Sequence, residues 1–319
     1  MMPFAFRFLA GFLIALSYSY EAIGQPDTVR IGLYLNDIYD VNLSEKSFSA
    51  QFWVWLNYQD STLRPEETLE FPNAKETNVQ MAFSEQKGGI RWASRRLTAI
   101  LKKDWDVRRF PFDLQKMVIE LEESDRDTSS IVYVPDRQNT KIDPKLSLSG
   151  WKIERFELTT GARRYDTTYG DPTLTESSAY AHAEFALYLR RQTLGLFFSL
   201  FTGMYVSFFI SWLVFFIDPI DVDPRFGLSV GGLFAAVGNK YIVDSILPQS
   251  TTFTLVDKLH VVTYFFLLLC IVLSVTSLRI WKNGSPEASA RFDRHSWMAI
   301  LISYLLANAW LIGTALTGE

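Results

Sequence analysis

Asp223, Gly227, Gly231, Phe234, Gly238, Tyr241 and Ser245 recur at steps of three or four residues through the stretch from Asp221 to Pro248. That spacing places them on one face of a helix. The face is small or polar except for its two rings, while Leu228, Val230, Leu233, Ala236, Val237, Ile242 and Val243 occupy the other faces. A small or polar stripe inside a hydrophobic segment turns away from lipid, toward neighbouring helices or toward water. Gly227, Gly231, Gly232 and Gly238 each cost about 1 kcal/mol against alanine in helix propensity, so their presence needs a reason. Close helix packing is one reason; a water-filled path is the other. Asp221 and Asp223 just before the helix, and Asp244 near its far end, favour the path, because rings of carboxylate at a mouth concentrate cations. The chemistry these residues suit is the selection and passage of ions, with no covalent step.

Covalent chemistry has no counterpart elsewhere in the chain. Ser, His and Asp occur, but no nucleophile elbow, metal-spaced His/Cys cluster or phosphate-cradling glycine loop stands between a strand and a helix. An enzyme is therefore not expected, nor is a cofactor or a structural metal. The net charge of -4 leaves no basic footprint for nucleic acid. Cys270 is the single cysteine and lies in a hydrophobic run, so an exported domain of this chain must hold together without an intrachain disulfide.

The stripe belongs to a strongly hydrophobic C-terminal part, residues 192–319. Leu194 to Ile217, Phe226 to Leu247, Leu259 to Ile280 and Ser296 to Leu316 are each long enough to cross a bilayer as helices. Lys240 and Asp244, four apart in the second span, read as a pair or as snorkelling at the outer interface. A loop from Trp281 to His295 joins the third span to the fourth, and Arg279, Lys282, Arg291 and Arg294 lie in or beside it. The loop between the second and third spans, residues 248–258, has one basic residue, Lys258, against those four. Positive charge stays inside, so the former loop is expected in the cytoplasm and the latter outside the inner, or plasma, membrane.

Residues 1–24 read as a secretory signal, with Arg7, the apolar core Phe8 to Leu16 and the small-residue site Ala22-Ile-Gly24. Residues 25–191 are then exported, and their pattern is β. Val29, Ile31, Leu33 and Leu35 alternate with Arg30, Gly32, Tyr34 and Asn36, and Phe48 to Asn57 alternates in the same way. Period two indicates strands with one buried face. Further strands are predicted at Met81 to Phe83, Ile90 to Ile100, Lys116 to Leu121, Ile131 to Val134, Trp151 to Leu158 and Ala179 to Leu189. Many short strands without long amphipathic helices predict a β-sandwich.

Phe110-Pro111-Phe112-Asp113, followed by Gln115, resembles the sandwich loop of the pentameric ligand-gated ion channels, the Cys-loop receptor superfamily. Two more segments match in order: Arg191-Gln192 leading into Ser211 to Ile217, and Pro224-Arg225-Phe226-Gly227-Leu228 leading to Leu247-Pro248. The likeness covers essentially the whole mature chain. It implies an extracellular immunoglobulin-like β-sandwich followed by a four-helix transmembrane bundle, assembled as a homopentamer in the lipid bilayer with the second helix lining the pore. Lys103 and Met117 stand where the family has paired cysteines, and the Trp281 to His295 loop is short. Both departures resemble the prokaryotic members. Gly203 stands where a proline is usual in the first membrane helix, and no proline precedes Thr193.

Residue roles follow from the resemblance. An agonist would sit between subunits, in an aromatic box to which Tyr165 and Tyr180 contribute beside the capping loop and Phe71 from another loop. The matching acidic stretch, Glu122 to Asp127, has no aromatic residue. Glu123 and Asp125 could meet an amine there, and Glu122, Glu123, Asp125 and Asp127 a divalent cation; a solvated acidic turn is the alternative. His182 and His260 offer a proton trigger. Arg191 would meet Asp113 and Glu45 and join the sandwich to Pro248 and its loop. Phe234 and Tyr241 would form apolar rings that gate the pore by dewetting, and Asp223, with Asp221, would select cations. Pro224 before Arg225 keeps an anion-selective reading open, and a non-conducting membrane-anchored sensor of the same fold is the remaining class.

Overall fold

The computed structural model describes residues 25–60, 62–170, 172, 177–247 and 252–317. The signal sequence assigned to residues 1–24 lies outside them, as does Pro248. Ten strands come first: β1 (Asp27–Asn42), β2 (Ser47–Tyr58), β3 (Leu69–Glu70), β4 (Ala74–Lys87), β5 (Ile90–Lys102), β6 (Leu114–Asp127), β7 (Ile131–Pro135), β8 (Lys141–Ile142), β9 (Trp151–Tyr165) and β10 (Ser178–Arg191). They form two sheets, one ordered β4-β5-β2-β1-β7 with β8 also on β1, the other β3-β6-β10-β9. Alternation decides what is buried between them. Val29, Ile31, Leu33 and Leu35 of β1, Phe48, Ala50, Phe52, Val54 and Leu56 of β2, and Ala181, Ala183, Phe185, Leu187 and Leu189 of β10 all enter one core.

Strand β6 runs further than its composition suggests. The acidic stretch, for which a solvated turn is one of the two readings, continues β6 to Asp127, with Glu122 opposite His182 of β10 and Glu123 opposite Leu69 of β3. Backbone partners on both sides hold it extended, and a register shift between Tyr180 and His182 accompanies the burial of both Glu122 and Glu123.

Four helices follow: α1 (Thr193–Trp212), continued by a 3-10 turn at Leu213–Phe216, α2 (Val222–Ile246), α3 (Leu255–Lys282) and α4 (Pro286–Thr317). Each is long and apolar enough to cross a membrane. A capping box starts α3: the Thr254 hydroxyl accepts from the Asp257 backbone N–H at 3.2 Å, and the Asp257 carboxylate accepts from the Thr254 N–H at 2.8 Å. The expected loop from Trp281 to His295 is mostly helical. Only Asn283, Gly284 and Ser285 separate α3 from α4, because Pro286 is preset for the first helical position, so Arg291 and Arg294 lie on α4.

Candidate functional site

In the isolated protomer the predicted stripe of α2 is open. Asp223, Gly227, Gly231, Phe234, Gly238, Tyr241 and Ser245 are all exposed, Phe234 to 72% and Tyr241 to 79%. The opposite face, with Arg225, Ser229, Gly232, Ala236 and Val243, is buried against the other helices. The glycines therefore divide into two kinds. A Cβ on Gly227, Gly231 or Gly238 would meet nothing within 4 Å, whereas one on Gly232 would lie 2.1 Å from Ser211 Oγ and 2.7 Å from the Ser207 carbonyl oxygen of α1. Helix packing explains Gly232 alone. Gly232→Ala should lower thermal stability through overpacking of about 1–3 kcal/mol, while Gly231→Ala should leave the protomer as stable as wild type. Equal melting temperatures for the two variants would contradict this division.

Both ends of α2 carry charge. Toward the C-terminal end of α2 Lys240 pairs with Asp244 on its own helix and reaches Asp257 Oδ1 of α3 at 2.9 Å, which is the structural pairing expected of it. Below it Asn239 donates to the Leu200 carbonyl at 3.1 Å, and its Oδ1 lies 3.2 Å from Nε2 of the buried His260. The second proton-trigger histidine is thus a link between α2 and α3. At the N-terminal end of α2 Asp221 and Asp223 are exposed. Arg225 is turned the other way, fully buried, with Nη2 2.8 Å from Asp293 Oδ2 of α4. The Pro224-Arg225 signature therefore puts no guanidinium on the open face. Sequence reasoning passed over Asp293; the available signal was two opposite charges near matching ends of two spans.

The junction between sandwich and helices is organised by the Phe110-Pro111-Phe112-Asp113 loop. Arg191, the last residue of β10, donates to both Asp113 oxygens at 2.7 and 3.0 Å, and both side chains are buried. Gln115 also donates to Asp113, at 2.7 Å. The guanidinium carbon lies 3.9 Å from the Trp151 ring centroid and 4.8 Å from that of Phe110. The same loop touches the membrane part: the Leu255 N–H at the start of α3 donates to the Arg108 carbonyl at 2.9 Å, Thr193 Oγ1 donates to the Pro111 carbonyl at 3.1 Å, and Phe112 packs 5.9 Å from Phe197 of α1. The partner expected of Glu45 is corrected: it lies exposed in the β1–β2 turn, its N–H donates to Asn42 Oδ1, and among the described residues Arg191 pairs with Asp113 and not with Glu45.

The expected ligand residues separate. Tyr165 and Tyr180 meet edge to face, 6.1 Å apart, with Tyr169 5.7 Å from Tyr165. Tyr165 donates to Glu122 at 2.6 Å, and burial followed by that carboxylate pushes its phenol up to about 12. Glu122 also meets His182 Nδ1 at 3.1 Å and Arg163 at 3.6 Å, so its oxygens are already engaged. Glu123 is wholly buried with Oε2 unpartnered, and burial raises its carboxyl above the usual range. Glu70 on β3 is raised as well, by burial and then by the charges of Glu122 and Glu123. Asp125 is exposed beyond them. Phe71 does not join the tyrosines: it packs 5.6 Å from Phe52 against the sandwich core, where an apolar ring gains most. No three His, Cys, Asp or Glu side chains among the described residues come together to hold a metal ion.

No family model matches the chain. Over 305 residues it is 23% identical to a proton-gated ion channel of Gloeobacter violaceus, an alignment covering 89% of this chain and 82% of that protein. The chain is homologous to that channel. It is also 24% identical over 311 residues to the acetylcholine receptor subunit alpha-L1 of Schistocerca gregaria, spanning 87% of this chain and 54%, about half, of the subunit. Alignments of that extent take in both the sandwich and the helices. With its four apolar helices, this homologue of ion channels is a multi-pass membrane protein.

Proposed function

We propose that the protein is a pentameric ligand-gated ion channel, selective for cations, with its sandwich outside the inner membrane and its agonist acting on the sandwich at a subunit interface. One observation carries the selectivity: the open face of α2 ends on Asp221 and Asp223, while the arginine of that turn is buried against Asp293. In a ring of subunits the inner mouth is then negative. Purified protein reconstituted in planar bilayers tests the channel itself. Unitary currents evoked by a ligand are expected, and a membrane-anchored sensor of the same fold would give none.

Protonation is the trigger the sandwich supports best. Glu123 has one buried oxygen without a partner, and its raised pKa means that it takes up a proton before ordinary carboxylates do as pH falls. An amine would instead have to displace Arg163 from Glu122 and Glu120, which it meets at 3.6 and 2.6 Å. The named activity of the Gloeobacter relative agrees with a proton. An acidic step should open the channel, and Glu123→Gln, which imitates the protonated carboxyl, should move half-activation toward neutral pH. An activation midpoint identical to wild type would remove Glu123 from the trigger.

A further inference from the structure

Arg225 is the one basic residue in the first turns of α2, two positions from Asp223, and its side chain is fully buried while the acids before it are exposed. Its carboxylate partner, Asp293, belongs to α4. These two helices do not pack along one another: α2 lies along α1 and α3, and α4 lies along α3. The ion pair therefore bridges the pore-facing helix and a helix packed behind it. The bridge is a single contact, Nη2 to Oδ2 at 2.8 Å; Arg225 Nε and Nη1 and Asp293 Oδ1 are buried without a protein partner. Among the described residues, no other side chain draws the guanidinium inward.

We propose that Asp293 determines ion specificity from behind the pore: by holding Arg225 inside the bundle it keeps a positive charge off the ion path and leaves Asp221 and Asp223 to set the sign of the mouth. The inference rests on the cation-channel reading above. A buried guanidinium that loses its counter-ion is strongly disfavoured, and a long flexible side chain extends to the nearest water instead. From the first turns of α2 that water is at the mouth, beside Asp221 and Asp223. Each subunit would then offer two negative charges and one positive there, in place of two negative charges alone. The cation-to-anion permeability ratio should fall by about threefold or more.

Reversal potentials of full-length channels in bilayers under a salt gradient separate the possibilities. A wild-type value at the chloride equilibrium would sink the cation-channel reading itself. With a cation-selective wild type, Asp293→Asn is expected to lower the permeability ratio, and Arg225→Gln with Asp293→Asn to restore it, since no free guanidinium remains. An unchanged ratio in Asp293→Asn overturns the proposal. Should that variant fail to assemble, Arg225→Gln alone decides: a guanidinium already held off the path predicts the wild-type ratio, and a rise in cation preference would place Arg225 at the mouth and overturn it.

Discussion

Channels carrying Phe234→Ser should pass current without agonist and should need less agonist to open fully. The ring is 72% exposed in the protomer and has no aromatic partner among the described residues, so it contributes little to the fold of a single chain. In a symmetric assembly with α2 at the axis, the glycine positions 227, 231 and 238 would supply no side chain, and Phe234 would make the narrowest apolar ring, with Tyr241 forming a second one further toward Asp244. Water leaves such a ring, and an ion cannot shed its hydration shell to cross it. Serine hydroxyls wet the constriction. A shift of about 1.4 kcal/mol in the closed–open balance multiplies the resting open fraction tenfold, and replacing one phenyl per subunit should exceed that. If Phe234 instead packs against a neighbouring subunit, Phe234→Ser would reduce pentamer yield and leave resting current low. Normal closed-state current and unshifted activation in well-assembled Phe234→Ser channels would exclude a gate at this position.

Arg191→Ala should be the most damaging change at the domain junction. It leaves Asp113 buried with its charge uncompensated, a loss of about 3–5 kcal/mol for a broken buried pair, and it removes the cation from between Trp151 and Phe110. The loop that Arg191 holds is the one whose Arg108 and Pro111 carbonyls bind the starts of α3 and α1, so the damage is expected to reach both stability and signal transfer. A double variant separates these. Arg191→Met with Asp113→Leu has no stranded charge and should recover assembly, measured by size-exclusion chromatography of detergent-extracted protein. Its agonist response should stay weak, because the ion-paired link from β10 to the loop is gone. Recovery of both assembly and wild-type agonist sensitivity would make the pair structural only.

Much of the architecture is legible because the period of a strand or helix decides which side chains turn inward. Val29 to Leu35 and Phe48 to Leu56 show this for the sandwich, and the spacing from Asp223 to Ser245 for α2. Three features escaped for physical reasons. The start of α4 was hidden because Glu287, Arg291, Asp293 and Arg294 interrupt the apolar run, yet backbone hydrogen bonds carry a helix through polar residues and Pro286 was its start signal. Acidic composition reads as solvated, so the extension of β6 through Glu122 and Glu123 depended on partners in β3 and β10 that are remote in sequence. The pairing of Arg225 with Asp293 joins residues 68 positions apart, and no local pattern encodes it. Arg191 and Asp113 are 78 apart and were legible only through resemblance to a family.

The sign of the charge that crosses the membrane tests the account most directly. Purified wild-type protein in a planar bilayer, opened by an acidic step or another agonist under a tenfold potassium chloride gradient, gives a reversal potential. With Asp221 and Asp223 at the mouth and Arg225 buried against Asp293, the current should reverse close to the potassium equilibrium, and neutralising Asp223 to asparagine should pull it back toward zero. Reversal at the chloride equilibrium, unaffected by Asp223→Asn, would contradict it.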